Sequence, residues 1–189
     1  RAGKDLYWGH DPKYGDPTEY VNMFEQEGFR VHLLEREYHS DAVISLIKPR
    51  VAISIHDVAD YKKTMPDWEV LLIDDNPSIP GDWIDFKSVV KGRWWIKQEE
   101  NNAVLAKFID KWLGDWVGYV AESVFDVNML SIDESTVICN NYNKSVFNFL
   151  KKHKVEPVIF NFRHRHFWDG GVHCITQDLY REGTQEDYQ

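Results

Sequence analysis

Only two of the 189 residues are cysteine, Cys139 and Cys174. That is too few for a disulfide framework and points to a reducing compartment, so a cytoplasmic protein is expected. No apolar run approaches the roughly 18 residues a membrane span needs, and no signal-like segment opens the chain. Positive charge is the minor sign: 22 Lys and Arg stand against 31 Asp and Glu, a net charge of −9. Bulk binding to a phosphate backbone needs a basic face, which excludes nucleic acid as a partner. An initiator Met is also missing. The chain begins Arg1-Ala2-Gly3-Lys4, which reads as a processed product or a piece of something longer.

What is present is core-forming material, 43% hydrophobic residues, enough to set compositional disorder aside. Asp5 to Gly9 reads as a short strand. Asp16-Pro17-Thr18-Glu19 reads as a helix start, with Asp at the N-cap, Pro first and Glu in the first turn. Gly28 stops that helix, and Phe29 to Leu34 is the next strand.

A repeated order follows. Strands at Asp41–Ile47 and Val51–Ile55, a helix at Val58–Met65 and a strand at Glu69–Ile73 make one ββαβ unit. Strands at Val127–Ile132 and Thr136–Asn140, a helix at Lys144–Lys152 and a strand at Glu156–Phe162 make a second. Such units cannot bury their own apolar faces, so they stack or pack radially. Residues 74–119 between them are of another kind. Turn signals at Asn76-Pro77 and Pro80-Gly81 lead into an amphipathic helix from about Asn102 to Trp116. Its stripe of Val104, Leu105, Phe108, Ile109, Trp112, Leu113 and Trp116 is expected to pack in a core or an interface, and Trp83, Trp94 and Trp95 to form an aromatic subcore.

Three residues could carry chemistry. Cys174 follows Gly170-Gly171-Val172-His173. A Gly pair permits a tight turn and close approach to backbone, and a Cys at a strand mouth beside polar groups is a candidate nucleophile. The alternative is an ordinary structural cysteine, which Cys139 fits better from inside an alternating strand. His39 and Asp41, two apart at a strand start, would face one side and could together move a proton or hold a cation. His164, His166, His173 and Cys174 could be read as zinc ligands, but the spacing fits no standard pattern and Arg163 and Arg165 interleave them. No metal and no cofactor is expected.

The segment from Gly170 through Cys174 to Thr184 resembles the C-terminal cysteine motif of the glycine amidinotransferases. Arg1-Ala2-Gly3-Lys4-Asp5, Tyr38-His39-Ser40-Asp41-Ala42-Val43 and Asn128 to Glu134 resemble three further motifs of that family, in order. The resemblance implies an α+β fold of the pentein type, an α/β propeller of ββαβ modules, with about three of five modules visible. Residues 1–189 would be a partial catalytic domain with an insertion at about 74–119. It implies Cys174 as the nucleophile on a guanidinium carbon, His39 as the acid and base, and Asp41 as the residue that holds the guanidinium. The partners would be a guanidine donor such as arginine and a glycine-like amine acceptor; a homodimer is compatible. Two positions depart from the family pattern: Val58 stands near the place of an arginine that binds the substrate carboxylate, and Ala121-Glu122 at a serine pair. These leave donor and acceptor open. A guanidine hydrolase of the arginine deiminase kind and a non-catalytic pentein are the alternatives. The family's other catalytic carboxylate precedes the Arg-Ala-Gly motif, so the 189-residue chain alone is expected to have little activity.

Overall fold

The computed structural model describes residues 1–34, 39–57, 59–73, 101–112, 122–160, 162, 170–182 and 187–188. The first strand, β1 (Asp5–Gly9), alternates buried Asp5, Tyr7 and Gly9 with half-buried Leu6 and Trp8. It pairs in parallel with β2 (Arg30–Leu34), Asp5 opposite Arg30. Helix α1 (Thr18–Gln26) connects them. The Asp16 carboxylate accepts from the Thr18 amide at 3.0 Å, as the capping signal implied, although Pro17 sits at the N-cap rather than inside the helix. Gly28, at φ 86°, takes the left-handed turn that ends it.

The first ββαβ unit is β3 (Ile44–Lys48), β4 (Val51–Ser54), α2 (Tyr61–Thr64) and β5 (Glu69–Leu72). β3 runs antiparallel to β4 and β4 parallel to β5. Two helices follow, α3 (Ala103–Trp112) and α4 (Glu122–Val127). The second unit is β6 (Leu130–Asp133), β7 (Thr136–Cys139), α5 (Lys144–Lys152) and β8 (Glu156–Ile159). Its strand order and directions are the same, down to a register shift at the same place in the hairpin. α5 matches its expected span. Asn143 caps it, its Oδ1 accepting from Ser145 N at 3.0 Å and Val146 N at 3.2 Å, and Val146, Phe149 and Leu150 face inward.

The two units share one core. Val43, Ile47 and Ile53 of the first pack in the same cluster as Val127, Val137 and Leu150 of the second. Ser131 Oγ donates to the Leu46 carbonyl at 3.2 Å between β6 and β3.

Several expectations need correction. The strand anticipated from Asp41 begins at Ile44; Ser40–Ala42 is a 3-10 turn, closed by Ala42 N to the His39 carbonyl at 3.1 Å and Val43 N to the Ser40 carbonyl at 3.1 Å. Short polar side chains here favour the local turn over the ladder. The strand anticipated from Val127 begins at Leu130, because Val127 completes α4. The helix anticipated from Val58 is the single turn of α2. Val104, Phe108 and Trp112 of the α3 stripe are exposed, at 81%, 48% and 63%, rather than packed in a core; Leu113 and Trp116 lie outside the described residues. Among the described residues the strands make three separate sheets, and none closes into a ring. Of the 74–119 segment, only residues 101–112 are described. Trp83, Trp94 and Trp95, and also Val58, Ala121, His164 and His166, lie outside the described residues.

Candidate active site

Two buried asparagines build the site. Asn128 lies between α4 and β6, and Asn140 directly after β7; both are about fully buried. Asn140 Nδ2 donates to the Phe125 carbonyl at 3.1 Å and the Asn128 carbonyl at 2.6 Å. Its Oδ1 accepts from Val172 N at 2.7 Å. Asn128 Oδ1 accepts from the next two amides, His173 N at 3.0 Å and Cys174 N at 3.3 Å. The loop at Gly171 is thus sewn to the second unit by side-chain amides. A Cβ on Gly171 would lie 2.5 Å from both Asn128 Oδ1 and Asn140 Nδ2, so only glycine allows this approach.

That stitching delivers Cys174 to Asp41. Cys174 Sγ donates to Asp41 Oδ2 at 3.3 Å. Asn128 Nδ2 donates to Cys174 Sγ at 3.0 Å, and to the Asp41 carbonyl and Asp41 Oδ2 at 3.1 Å each. His173 Nδ1 lies 3.1 Å from the same Oδ2. Among the described residues no hydrogen bond reaches Asp41 Oδ1. Asp41 and His173 line a cleft of about 910 Å³ together with Ser45, Met129, Asp178 and Arg181.

The electrostatics follow from these contacts. The His173 hydrogen bond, helped by Cys174 and Asn128, outweighs burial and holds the Asp41 carboxyl down at about 2. Burial pushes the Cys174 thiol up, and the Asp41 charge pushes it further; the Asn128 amide works the other way. Cys139 is pushed up to about 12, by burial first and Asp126 second. Of the two thiols only Cys174 is exposed.

Of the residues singled out in the sequence, Cys174 and Asp41 are in contact. His39 opens the 3-10 turn that carries Asp41, two residues earlier, and its side chain is exposed. It is not among the groups bonded to Cys174. In a 3-10 turn successive residues rotate by about 120°, so the alternation that placed His39 and Asp41 on one side does not operate here. Three contributors went unread: Asn128, Asn140, and His173 as a partner of Asp41. A signal for the first two was present. Asparagine amid Val127 and Met129, or after Ile138-Cys139, is a polar residue in an apolar context, and such a residue is buried only when its hydrogen bonds are made.

No protein-family model matches the chain. Its fold is that of the amidinotransferases. It superimposes on an amidinotransferase of the saxitoxin biosynthetic pathway from Microseira wollei with a TM-score of 0.64 and 18% identity, covering 100% of this chain and 46% of that one. The inosamine-phosphate amidinotransferase of Streptomyces griseus gives a TM-score of 0.62 at 18% identity, covering 47% of that chain. The sequence leads to the same group: mitochondrial glycine amidinotransferase of Xenopus laevis is 24% identical over 207 residues, and that of Gallus gallus 22% over 204. The resemblance to the glycine amidinotransferase family read from the motifs is thereby shown, over the whole chain. The chain spans 38% of the length of these curated relatives.

Proposed function

We propose that the protein transfers an amidino group from arginine, or a similar guanidine donor, to a glycine-like amine through a covalent intermediate on Cys174. One observation carries this reading. An exposed cysteine stands 3.3 Å from a carboxylate that stays ionised and belongs to a residue lining the cleft, in a chain with the amidinotransferase fold. A guanidinium is planar and cationic, and a carboxylate is its natural partner. Seated on Asp41, it would bring its central carbon to Cys174 and offset the charge that keeps the thiol protonated.

In the role the family resemblance assigns to it, His39 would have to turn in from its exposed position to take the thiol proton as Sγ bonds to the guanidinium carbon. His39 returns that proton to the departing amine as its C–N bond breaks, leaving an amidino group on sulfur. The acceptor amine, losing a proton to His39, attacks the same carbon; the C–S bond breaks and the cysteine recovers its proton. The five-module propeller belongs to this reading, and so do the cytoplasmic location and the expectation of a single catalytic domain.

The test is to incubate the whole protein with arginine, with and without glycine, and assay ornithine against citrulline. Ornithine that depends on the acceptor is expected. Citrulline without an acceptor would show a hydrolase, and neither product would leave a non-catalytic pentein. As a check on the nucleophile, Cys174 should be alkylated by iodoacetamide much faster than Cys139.

A further inference from the structure

Among the described residues, Asn128 is the side chain that joins the cysteine loop to both Cys174 Sγ and Asp41. Its oxygen accepts from two consecutive backbone amides, those of His173 and Cys174, and fixes the loop that presents the thiol. Its nitrogen donates to the Cys174 sulfur and to the Asp41 carboxylate. It is fully buried, so its amide has no water to fall back on, and every lost contact leaves an unsatisfied group. The Asn140 bond to its backbone carbonyl at 2.6 Å fixes it in turn.

The direction of these bonds matters. The amide donates to sulfur, and the thiol donates to Asp41, so the three groups form a relay. When the thiol ionises, the bond from sulfur to Asp41 is lost and two negative charges face each other. The Asn128 N–H bond to sulfur then becomes charge-assisted and strengthens. The Gly171 backbone and the Asn128 side chain favour the thiolate, and Asp41 opposes it.

We infer that Asn128 is a positioning residue for the nucleophile, one that orders the cysteine loop through its oxygen and stabilises the Cys174 thiolate through its nitrogen. This rests on the amidinotransferase reading for its meaning in catalysis, but it makes a claim about the thiol that stands by itself.

Asn128→Leu removes the donor without adding a charge, and Asn128→Asp keeps an acceptor for the backbone amides while replacing the donor with an oxygen; the thiol must respond to both. Alkylation of Cys174 by iodoacetamide, followed by mass spectrometry across pH in the full chain, should show the midpoint moved upward and the rate at neutral pH lowered about tenfold or more. A folded variant with an unchanged pH profile would overturn the inference, since a merely structural role changes stability and not that profile. Should neither variant fold, the wild-type chain supplies the measurement. The ¹⁵N side-chain resonance of Asn128 should shift with the same midpoint as Cys174 alkylation, and a flat response there would overturn it equally. The two readings fail separately: a shifted profile in a whole protein that transfers no amidino group sinks the function and keeps the Asn128 assignment.

Discussion

The two ββαβ units are copies in plan and opposites at one level. Counting back from the hairpin turns, which pair Lys48 with Val51 and Asp133 with Thr136, Val43 holds the place of Asn128 and Ile55 that of Asn140. In the first unit both positions are apolar and belong to the core. There Ile55 N donates to the Val43 carbonyl at 3.0 Å, one step beyond the last paired residues of β3 and β4. In the second unit both positions are buried amides, and the Asn140 side chain rather than a backbone group reaches the Asn128 carbonyl. The same scaffold position thus serves packing in one copy and the cysteine loop in the other. Asp41 comes from the first unit's side of the seam, just before β3, so the site needs both copies.

The comparison can be broken most strongly at Asn140. Giving it the first unit's residue, Asn140→Ile, removes three hydrogen bonds, to the Phe125 and Asn128 carbonyls and from the Val172 amide, at a buried position. A loss of roughly 3–5 kcal/mol is expected in urea unfolding. The converse, Ile55→Asn, buries an amide where the first unit offers a packed apolar site. It should destabilise by about 2–4 kcal/mol and leave Cys174 alkylation unchanged at low denaturant. If it slowed alkylation instead, the division of labour between the units would be wrong.

Gly171→Ala comes next. The added methyl collides with both asparagine side chains, so a loss of about 1–3 kcal/mol is expected together with a changed Cys174 alkylation rate. Asp41 sharpens the comparison by pH. Its carboxyl sits at about 2 in the folded chain against an ordinary 3.8. Its contribution is therefore complete above about pH 4 and is lost as pH falls toward 2. The stability gap between wild type and Asp41→Asn should shrink by roughly 1–2 kcal/mol over that range, measured by thermal unfolding at stepped pH. The smallest effect is expected at Glu69, whose exposed carboxylate meets Lys152 and His153 across the two units. Glu69→Gln should leave the unfolding midpoint unresolved from wild type at physiological salt, since exposed pairs of this kind are screened.

How much of this was legible in the sequence depended on how far each signal had to reach. α5 was readable to the residue because its cap, its apolar stripe and its closing lysines lie within one stretch. The repeat was readable because strand alternation and turn residues are local. The stretch from Ser40 to Val43 was not, because its alternation of polar and apolar residues suits a strand while its hydrogen bonds close a turn. Asp41 was selected partly through that mistaken geometry, and the family motif gave it independent support. Asn128 lies inside a stretch whose likeness to the family was noted, yet its partner Cys174 is 46 residues away. No periodicity reports such a contact; only the cost of an unpaired amide in an apolar context hints at it. The α3 stripe shows the reverse case, a strong local pattern that does not decide what it packs against.

The bond from Cys174 to Asp41 has a consequence outside catalysis. Peroxides and other oxidants attack thiolates far faster than thiols. An exposed cysteine beside a carboxylate that stays charged keeps its proton at rest, so the more accessible of the two thiols is shielded from oxidation chemically rather than sterically.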